Sequence, residues 1–371
     1  MKIEKIYIEG YRNLKKYSTE FDPKINFIYG ENAQGKTNFI EAIWMFTGAR
    51  SFRGTKDADL VNFEKDSAKI KGDFFFENRN QEIAVFFDKS KRKIFLNNVA
   101  KPYPTGVIGK FRVVLFSPLQ LSIIRGGPDF RRRFIDSAIC KIYPGFMKTI
   151  VKYNQTLRQR NAYLKTLNVS KSSEHLLDIW DEKLSDIGAE LVKKRLDYLV
   201  LLKEELFKIY SEISNKSEFM EAEYVSSFFK NLKVESSFEE IKNEMKAKLE
   251  KFRKSDIKTG FTAFGPHKDE LEIFIDKKNA KKFASQGQQR SLAVCLKLAE
   301  AAVMENIFNE PPVIILDDVM SELDDNRKNY MMEKITNKQV FITDCDKFVS
   351  EKLKTGTVFK VENGKIKRDK N

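Results

Sequence analysis

The chain has 371 residues, 42% of them hydrophobic and 32% charged, which is ample for a buried core beneath a highly charged surface. No run approaches the roughly 18 consecutive apolar residues of a membrane-spanning helix, and Met1–Glu9 alternates isoleucines with charges, unlike a signal core. Cys140, Cys295 and Cys345 are odd in number and lack metal spacing, so a reduced, cytoplasmic protein is expected.

The formal net charge of +14 fits two readings. Lysines and arginines that neutralise nucleic-acid phosphates gain from counterion release. A surface simply rich in lysine would give the same number.

In chain order, Lys2–Glu9 reads as a strand, followed by a turn at Gly10-Tyr11-Arg12-Asn13. Phe21 to Tyr29 is predicted as a strand that feeds Gly30-Glu31-Asn32-Ala33-Gln34-Gly35-Lys36-Thr37. The helical pattern that follows, Asn38–Gly48, is nearly apolar all round and therefore expected to be buried. Strand, glycine loop and helix, with Gly, Gly, Lys and Thr at this spacing, form a phosphate-binding loop. The glycines let successive N–H groups point at phosphate oxygens, and the helix adds its positive end. Lys36 would reach the β- and γ-phosphates of a nucleoside triphosphate, and the Thr37 hydroxyl would ligate Mg²⁺.

Between Ala68 and Asn97, alternating runs at Ile70–Phe76, Ile83–Phe87 and Ile94–Leu96 predict antiparallel strands, and Val107–Ser117 predicts one more. Helical periodicity then dominates from Phe130 to Lys254, with Lys193–Tyr210 and Phe238–Phe252 as clear amphipathic segments. Arg131-Arg132-Arg133, with Lys152, Arg158 and Arg160, is the most arginine-rich part of the chain. It reads equally as a solvated helix face and as a phosphate-contacting surface. Strands are predicted again at Thr259–Phe264, Leu271–Ile275 and Pro312–Leu316, and Lys367–Asn371 as a frayed tail.

Two further stretches complete a site. Val313–Leu316 is an apolar strand ending in Asp317-Asp318, and a buried strand delivers such carboxylates to the edge where α/β proteins place their chemistry. Asp317 would hold Mg²⁺ through water, since Mg²⁺ takes few direct carboxylates and keeps several waters. Asp318 would polarise the attacking water. Ahead of them, Ser285 and Gln288 have the spacing of a capping box. Gly287 in that first turn costs helix stability, which makes sense if an anion approaches the backbone closely, the available anion being a γ-phosphate.

With these stretches in place the chain resembles the RecF family, related to the SMC and ABC-type ATPases. The resemblance runs along essentially the whole chain. Gly30–Thr37 resembles its Walker A loop, Ser285-Gln286-Gly287-Gln288 its signature motif, Ile314–Asp318 its Walker B and Ser321–Asp324 its D-loop. Tyr11-Arg12-Asn13 resembles the segment that helps hold the nucleotide, and Gln120 the glutamine that senses the metal. Gly126-Gly127-Pro128 and Gly265–Asp269 also resemble family stretches, without an assignable chemistry. Two positions depart from the wider ABC pattern: Asp318 replaces the usual glutamate, and Thr343 stands where transporter ATPases carry histidine.

The resemblance implies an α/β fold, an ABC-type P-loop ATPase head with mixed parallel and antiparallel sheets and an inserted helical lobe. Residues 1–116 and 259–371 would form the two halves of the ATPase lobe and 117–258 the helical lobe. It implies ATP and Mg²⁺ as cofactors and an ATP-dependent homodimer in which Ser285, Gly287 and Gln288 meet the triphosphate of the other copy. It further implies a slow DNA-dependent ATPase acting at gaps between single- and double-stranded DNA, with RecO and RecR, in recombinational repair and replication. A transporter ATPase fits less well, because of the helical insert and the missing histidine. The insert is too short for the arms of an SMC tether, and the intact Lys36, Thr37, Asp317 and Asp318 speak against a vestigial loop.

Overall fold

The computed structural model describes residues 1–88, 90–169, 174–345 and 356–369. The first part of the chain carries strands β1 (Lys2–Glu9), β2 (Tyr17–Glu20) and β3 (Ile25–Tyr29), helix α1 (Lys36–Trp44), and then β4 (Ser67–Phe76), β5 (Arg79–Asp88), β6 (Arg92–Leu96), β7 (Val99–Lys101) and β8 (Val113–Phe116). The middle is helical: α2 (Leu121–Arg125), α3 (Pro128–Ile142), α4 (Phe146–Val169), α5 (Leu176–Ile213), strand β9 (Met220–Val225) and α6 (Phe238–Thr259). Strands β10 (Glu270–Ile275) and β11 (Lys278–Asn279), helices α7 (Ala280–Phe283) and α8 (Gln286–Phe308), and strand β12 (Val313–Asp317) follow. The last elements are α9 (Asp325–Ile335), β13 (Val340–Asp344), β14 (Thr357–Glu362) and β15 (Lys365–Arg368).

These elements form two compact units, Met1–Gln120 with Ala293–Asn371, and Leu121–Leu292. The first unit holds two six-stranded sheets. One is antiparallel, in the order β2-β1-β4-β5-β6-β7; the other runs β15-β14-β3-β13-β12-β8. In the second sheet β14, β3, β13, β12 and β8 are parallel and β15 is antiparallel. One apolar core joins them. Ile3, Ile6, Ile8, Ile70, Phe74 and Val85 come from the antiparallel sheet, Ile28, Val113, Ile315 and Phe341 from the mixed one, and Phe39, Ile40 and Ile43 from α1. That explains why α1 is apolar on nearly every side. Burying a side chain such as Phe39 contributes about 1.5–3 kcal/mol, and its truncation to alanine costs about 3–5 kcal/mol.

The second unit packs α3 to α6 with a three-stranded antiparallel sheet ordered β11-β10-β9. Because β10 pairs with β9 along its whole length, residues 259–292 belong with the helical unit, and the boundary expected at 259 falls at 292.

Several predicted elements change. Thr259–Phe264 is no strand: α6 runs to Thr259 and stops at Gly260, whose φ of 72° ends the helix in a left-handed turn. The strand expected from Phe21 is confined to Ile25–Tyr29, because the Asp22 carboxylate accepts the N–H groups of Lys24 and Ile25 and holds a turn. Only Val113–Phe116 of Val107–Ser117 is extended, since Pro104–Val107 forms a 3₁₀ turn. Lys367 and Arg368, expected to fray, pair with Lys360 and Phe359; the end of that predicted tail lies outside the described residues. The arginine-rich stretch divides. Arg131 is buried against Glu270 and the carbonyls of Ile123, Ile124 and Gly126, and Arg160 is buried between Asp181 and Asp256. Arg133, Lys152 and Arg158 stay exposed.

Candidate functional site

The parallel strands β3, β13 and β12 are consecutive in their sheet and end together. Asp344 is registered opposite Tyr29, and Thr343 lies between Asp317 and Ile28. The loop 30–37 therefore leaves β3 beside the carboxyl end of β13, with that of β12 one strand further on, which is where open α/β sheets form their crevices.

The loop's shape follows from its residues. Gly30 has φ 155°, and a Cβ there would lie 2.2 Å from the Val361 carbonyl oxygen on β14. Gly35 has φ 118° and would press a Cβ onto Asn13. Ala33 adopts φ 64°, a left-handed conformation that costs an alanine about 1–2 kcal/mol. The loop is braced from outside: Gly364 N–H donates to the Gln34 carbonyl, Asn363 N–H to Gln34 Oε1, and the Asn13 amide to the Gln34 carbonyl. Glu31 and Asn32 at its tip are exposed.

Lys36 is buried. Its Nζ donates to the carbonyls of Gly30 at 2.7 Å and Glu31 at 3.1 Å, and lies 3.4 Å from Cys345 Sγ. Cys345 in turn contacts Asn32 Oδ1. Thr37 Oγ1 donates to Asp317 Oδ1 at 3.2 Å. Thr343 is fully buried; its hydroxyl donates to the same Asp317 oxygen at 2.9 Å and accepts the Asp318 N–H at 3.0 Å. Asp318 itself adopts φ 52°, so one threonine fixes both neighbouring aspartates. Burial raises the Asp317 carboxyl above the ordinary range, with the charge of Asp318 adding and the hydrogen bonds from Thr343 and Thr37 opposing. Burial also raises Asp318, opposed by the Lys36 ammonium.

Arg12 sits beside this loop, but its guanidinium is engaged as a fork by the buried Glu41 of α1, at 2.5 and 3.0 Å, and by Thr55 Oγ1 at 2.8 Å. The Gln120 amide donates to the Leu115 carbonyl at 2.7 Å. It follows β8, the neighbour of β12, with its nitrogen held at the strand end. Among the described residues no group of three or more His, Cys, Asp or Glu could hold a metal by itself.

In the other unit, Ser285 and Gln288 form the expected cap in both directions. Gln288 N–H donates to Ser285 Oγ at 3.2 Å and Ser285 N–H to Gln288 Oε1 at 2.7 Å. Ser285 is exposed and Gly287 half-buried. Gly265–Asp269, without assignable chemistry in sequence, is a buried polar knot: His267 Nδ1 meets the Tyr153 hydroxyl at 2.7 Å, and Asp269 accepts from Tyr224 and Ser227. Burial lowers His267 to about 4.

Three contacts lay beyond sequence reasoning. Glu41 has a signal, a charge set among the apolar Phe39, Ile40, Ala42 and Ile43. Thr343 stands out only as a missing histidine, and Cys345 carries no signal at all.

The RecF/RecN/SMC N terminal domain family matches residues 2–102. The DNA replication and repair protein RecF of Caldanaerobacter subterraneus subsp. tengcongensis is 38% identical over 377 residues, covering 100% of both chains. That of Clostridioides difficile is 36% identical over 370 residues, covering 99% and 98%. A solved structure of the recombination mediator protein RecF-ATPrS in the RecFOR pathway superposes with a TM-score of 0.92 at 36% identity, covering 99% of this chain and 98% of the other. An Smc head bound to the C-winged helix domain of ScpA shares the fold at a TM-score of 0.56 and 15% identity, covering 100% and 97%. Full-length identity above 30% to RecF proteins, with the RecF/RecN/SMC N terminal domain matched over residues 2–102, makes this chain a member of the RecF family of DNA replication and repair proteins.

Proposed function

We propose that the chain binds ATP with Mg²⁺ at residues 30–37 and uses the triphosphate to hold two copies together. In this reading it is an ATP-gated clamp or switch on DNA at gaps between single and double strands. The observation that carries it is the 3.2 Å contact between Thr37 and Asp317, which brings together two hard oxygen donors from positions 280 residues apart. So small a donor set suits Mg²⁺, which keeps several waters and takes the rest of its shell from phosphate oxygens. RecF relatives have been solved as RecF-ATP and RecF-ATPrS.

Each residue then has a task. Backbone N–H groups of Gly30, Glu31, Asn32, Ala33, Gln34 and Gly35 cradle the phosphates. Lys36 exchanges its two carbonyl acceptors for β- and γ-phosphate oxygens. Thr37 and Asp317 hold Mg²⁺, and Gln120 would report on it once its amide leaves Leu115. When bound, Mg²⁺ neutralises charge on the phosphates. Asp318 takes a proton from the attacking water, and burial makes it a stronger base than a surface aspartate. Its arm is one methylene shorter than the usual glutamate, which fits slow hydrolysis. Arg12 supports the loop through Glu41 and would meet nucleotide only on leaving it.

Ser285 and Gly287 cap the γ-phosphate held by the second copy, while Gln288, its amide and N–H engaged by Ser285 and Glu218, shapes the turn. Hydrolysis removes the ligand that favours the closed dimer, so the population shifts toward open. The +14 charge suits a DNA partner, and the RecFOR pathway named for the solved relatives points to RecO and RecR. The same reading places the protein in the cytoplasm; among the described residues no helix is long and apolar enough to cross a membrane. Sedimentation of the full chain with Mg²⁺, ATP and a gapped duplex tests it. ATP should produce a faster-moving dimer, and Lys36→Ala should abolish it. Normal nucleotide binding by Lys36→Ala would remove the loop from the mechanism.

A further inference from the structure

The turn that opens α8 is held by more than its own cap. One end of the Gln288 amide, Oε1, accepts from Ser285 N–H. The other end, Nε2, donates to Glu218 Oε1 at 2.7 Å, across 70 residues of chain. The second oxygen of Glu218 accepts the Tyr210 hydroxyl at 2.5 Å, and Tyr210 is buried near the end of α5. Glu218 is half-buried in the connection from α5 to β9. That connection is clamped at the next residue: Phe219 N–H donates to Asp276 Oδ1 at 2.9 Å, and Asp276 N–H donates to the Phe219 carbonyl at 2.8 Å. The carboxylate is thus presented by a fixed turn.

Its chemistry decides which way Gln288 points. A primary amide has an acceptor and a donor end of nearly the same shape, so either could face Ser285. A carboxylate only accepts. Opposite Glu218 the amide must present its nitrogen, which leaves its oxygen for the Ser285 N–H. Turned over, it would set acceptor against acceptor at Glu218 and donor against donor at Ser285, breaking the cap. A buried hydroxyl on the far side of the carboxylate keeps Glu218 from swinging away.

We propose that Glu218 is a positioning residue for the Ser285 turn, orienting the Gln288 amide so that Ser285 Oγ is held at the surface ready for a ligand. The proposal rests on the reading of Ser285 as a ligand of the other copy's triphosphate. Glu218 touches no nucleotide. It acts through Gln288.

The test measures two quantities on the full-length protein with Mg²⁺: affinity for a fluorescent ATP analogue, and ATP-dependent self-association by sedimentation velocity. Glu218→Ala should leave nucleotide affinity unchanged and weaken association about tenfold, the loss expected for one charge-assisted hydrogen bond. Glu218→Gln should keep association, because a glutamine can accept from Gln288 with its oxygen and donate to the Tyr210 hydroxyl with its nitrogen. Gln288→Glu should lose association by opposing two carboxylates, and the double variant Glu218→Gln with Gln288→Glu should recover it, since donor and acceptor are then exchanged. Nucleotide affinity at the parent level in every variant separates this positioning role from a general loss of structure.

Association of Glu218→Ala at the parent level, in an experiment where Ser285→Arg abolishes it, would overturn the proposal. So would failure of the double variant to improve on Gln288→Glu. If Ser285→Arg itself associates normally, the reading of Ser285 fails and takes the role of Glu218 with it.

Discussion

In the helical unit, Arg160 is fully buried and its guanidinium reaches Asp181 Oδ1 at 2.7 Å, Asp256 Oδ2 at 2.8 Å and the Thr262 hydroxyl at 2.8 Å. Arg195 likewise forks onto Asp136 and takes the Pro266 carbonyl and the Tyr224 hydroxyl. In the sheet unit, Asp317 and Asp318 are adjacent carboxylates whose fixed neighbours are two threonine hydroxyls and, for Asp318, the charge of Lys36. In the first arrangement positive charge meets negative charge within the unit, Arg160 between Asp181 and Asp256 and Arg195 on Asp136. The second is short of cations, and its carboxyls are pushed upward by burial. Buried charge alone therefore does not mark a site. The candidate site instead sets buried charge without a matched counter-charge at the carboxyl ends of parallel strands, beside the glycine loop 30–37.

Arg160→Ala puts the pairing in the helical unit to the test. It leaves Asp181 and Asp256 buried with part of their counter-charge gone, and should cost about 3–5 kcal/mol, read by urea unfolding of the full chain. A loss under about 1 kcal/mol would mean that the helical unit does not depend on its pairing. Asp318→Asn comes next. It should lower ATP turnover about 100-fold and, with binding intact, accumulate the ATP-bound dimer; an unaltered rate would take Asp318 out of the mechanism.

Asp317→Asn sharpens the contrast with a smaller change of opposite sign. The folded carboxyl lies above its unfolded value, so its ionised form subtracts stability at all pH above both values. The penalty is relieved as the pH falls through them. Removing the charge should raise the melting temperature of the nucleotide-free protein at neutral pH by about 2–4 °C. Parent and variant should converge in acid, and Mg²⁺ with ATP should no longer shift the variant. A destabilised Asp317→Asn would show that the carboxylate serves packing.

What the sequence discloses follows from how local each feature is. Gly30–Thr37 is legible because the turn, the helix start and the lysine all lie within eight consecutive positions. The cap at Ser285 and Gln288 is legible for the same reason, being an i, i+3 pattern. Thr343 was visible only as a residue type, since what it does depends on β13 lying between β3 and β12. β14 was hidden because its partner is β3, with Thr357 registered opposite Asn26 from the far end of the chain. β9 was lost among helices, and with it the assignment of residues 259–292, because a short strand shows itself only once β10 is beside it. The arginine-rich run misleads for a related reason. Composition counts Arg131 and Arg160 with Arg133 and Arg158, while tertiary pairing separates them.

In the proposed dimer each triphosphate is gripped by Lys36 and Asp317 of one copy and closed by Ser285 of another. Mixing two inactive variants tests it most directly. Lys36→Ala lacks the grip but keeps a sound Ser285 turn; Ser285→Arg has the reverse defect. In an equimolar mixture one composite site is intact, so sedimentation with ATP and Mg²⁺ should show a heterodimer that neither variant forms alone. A mixture as monomeric as its parts, or a Ser285→Arg chain that dimerises unaided, would contradict it.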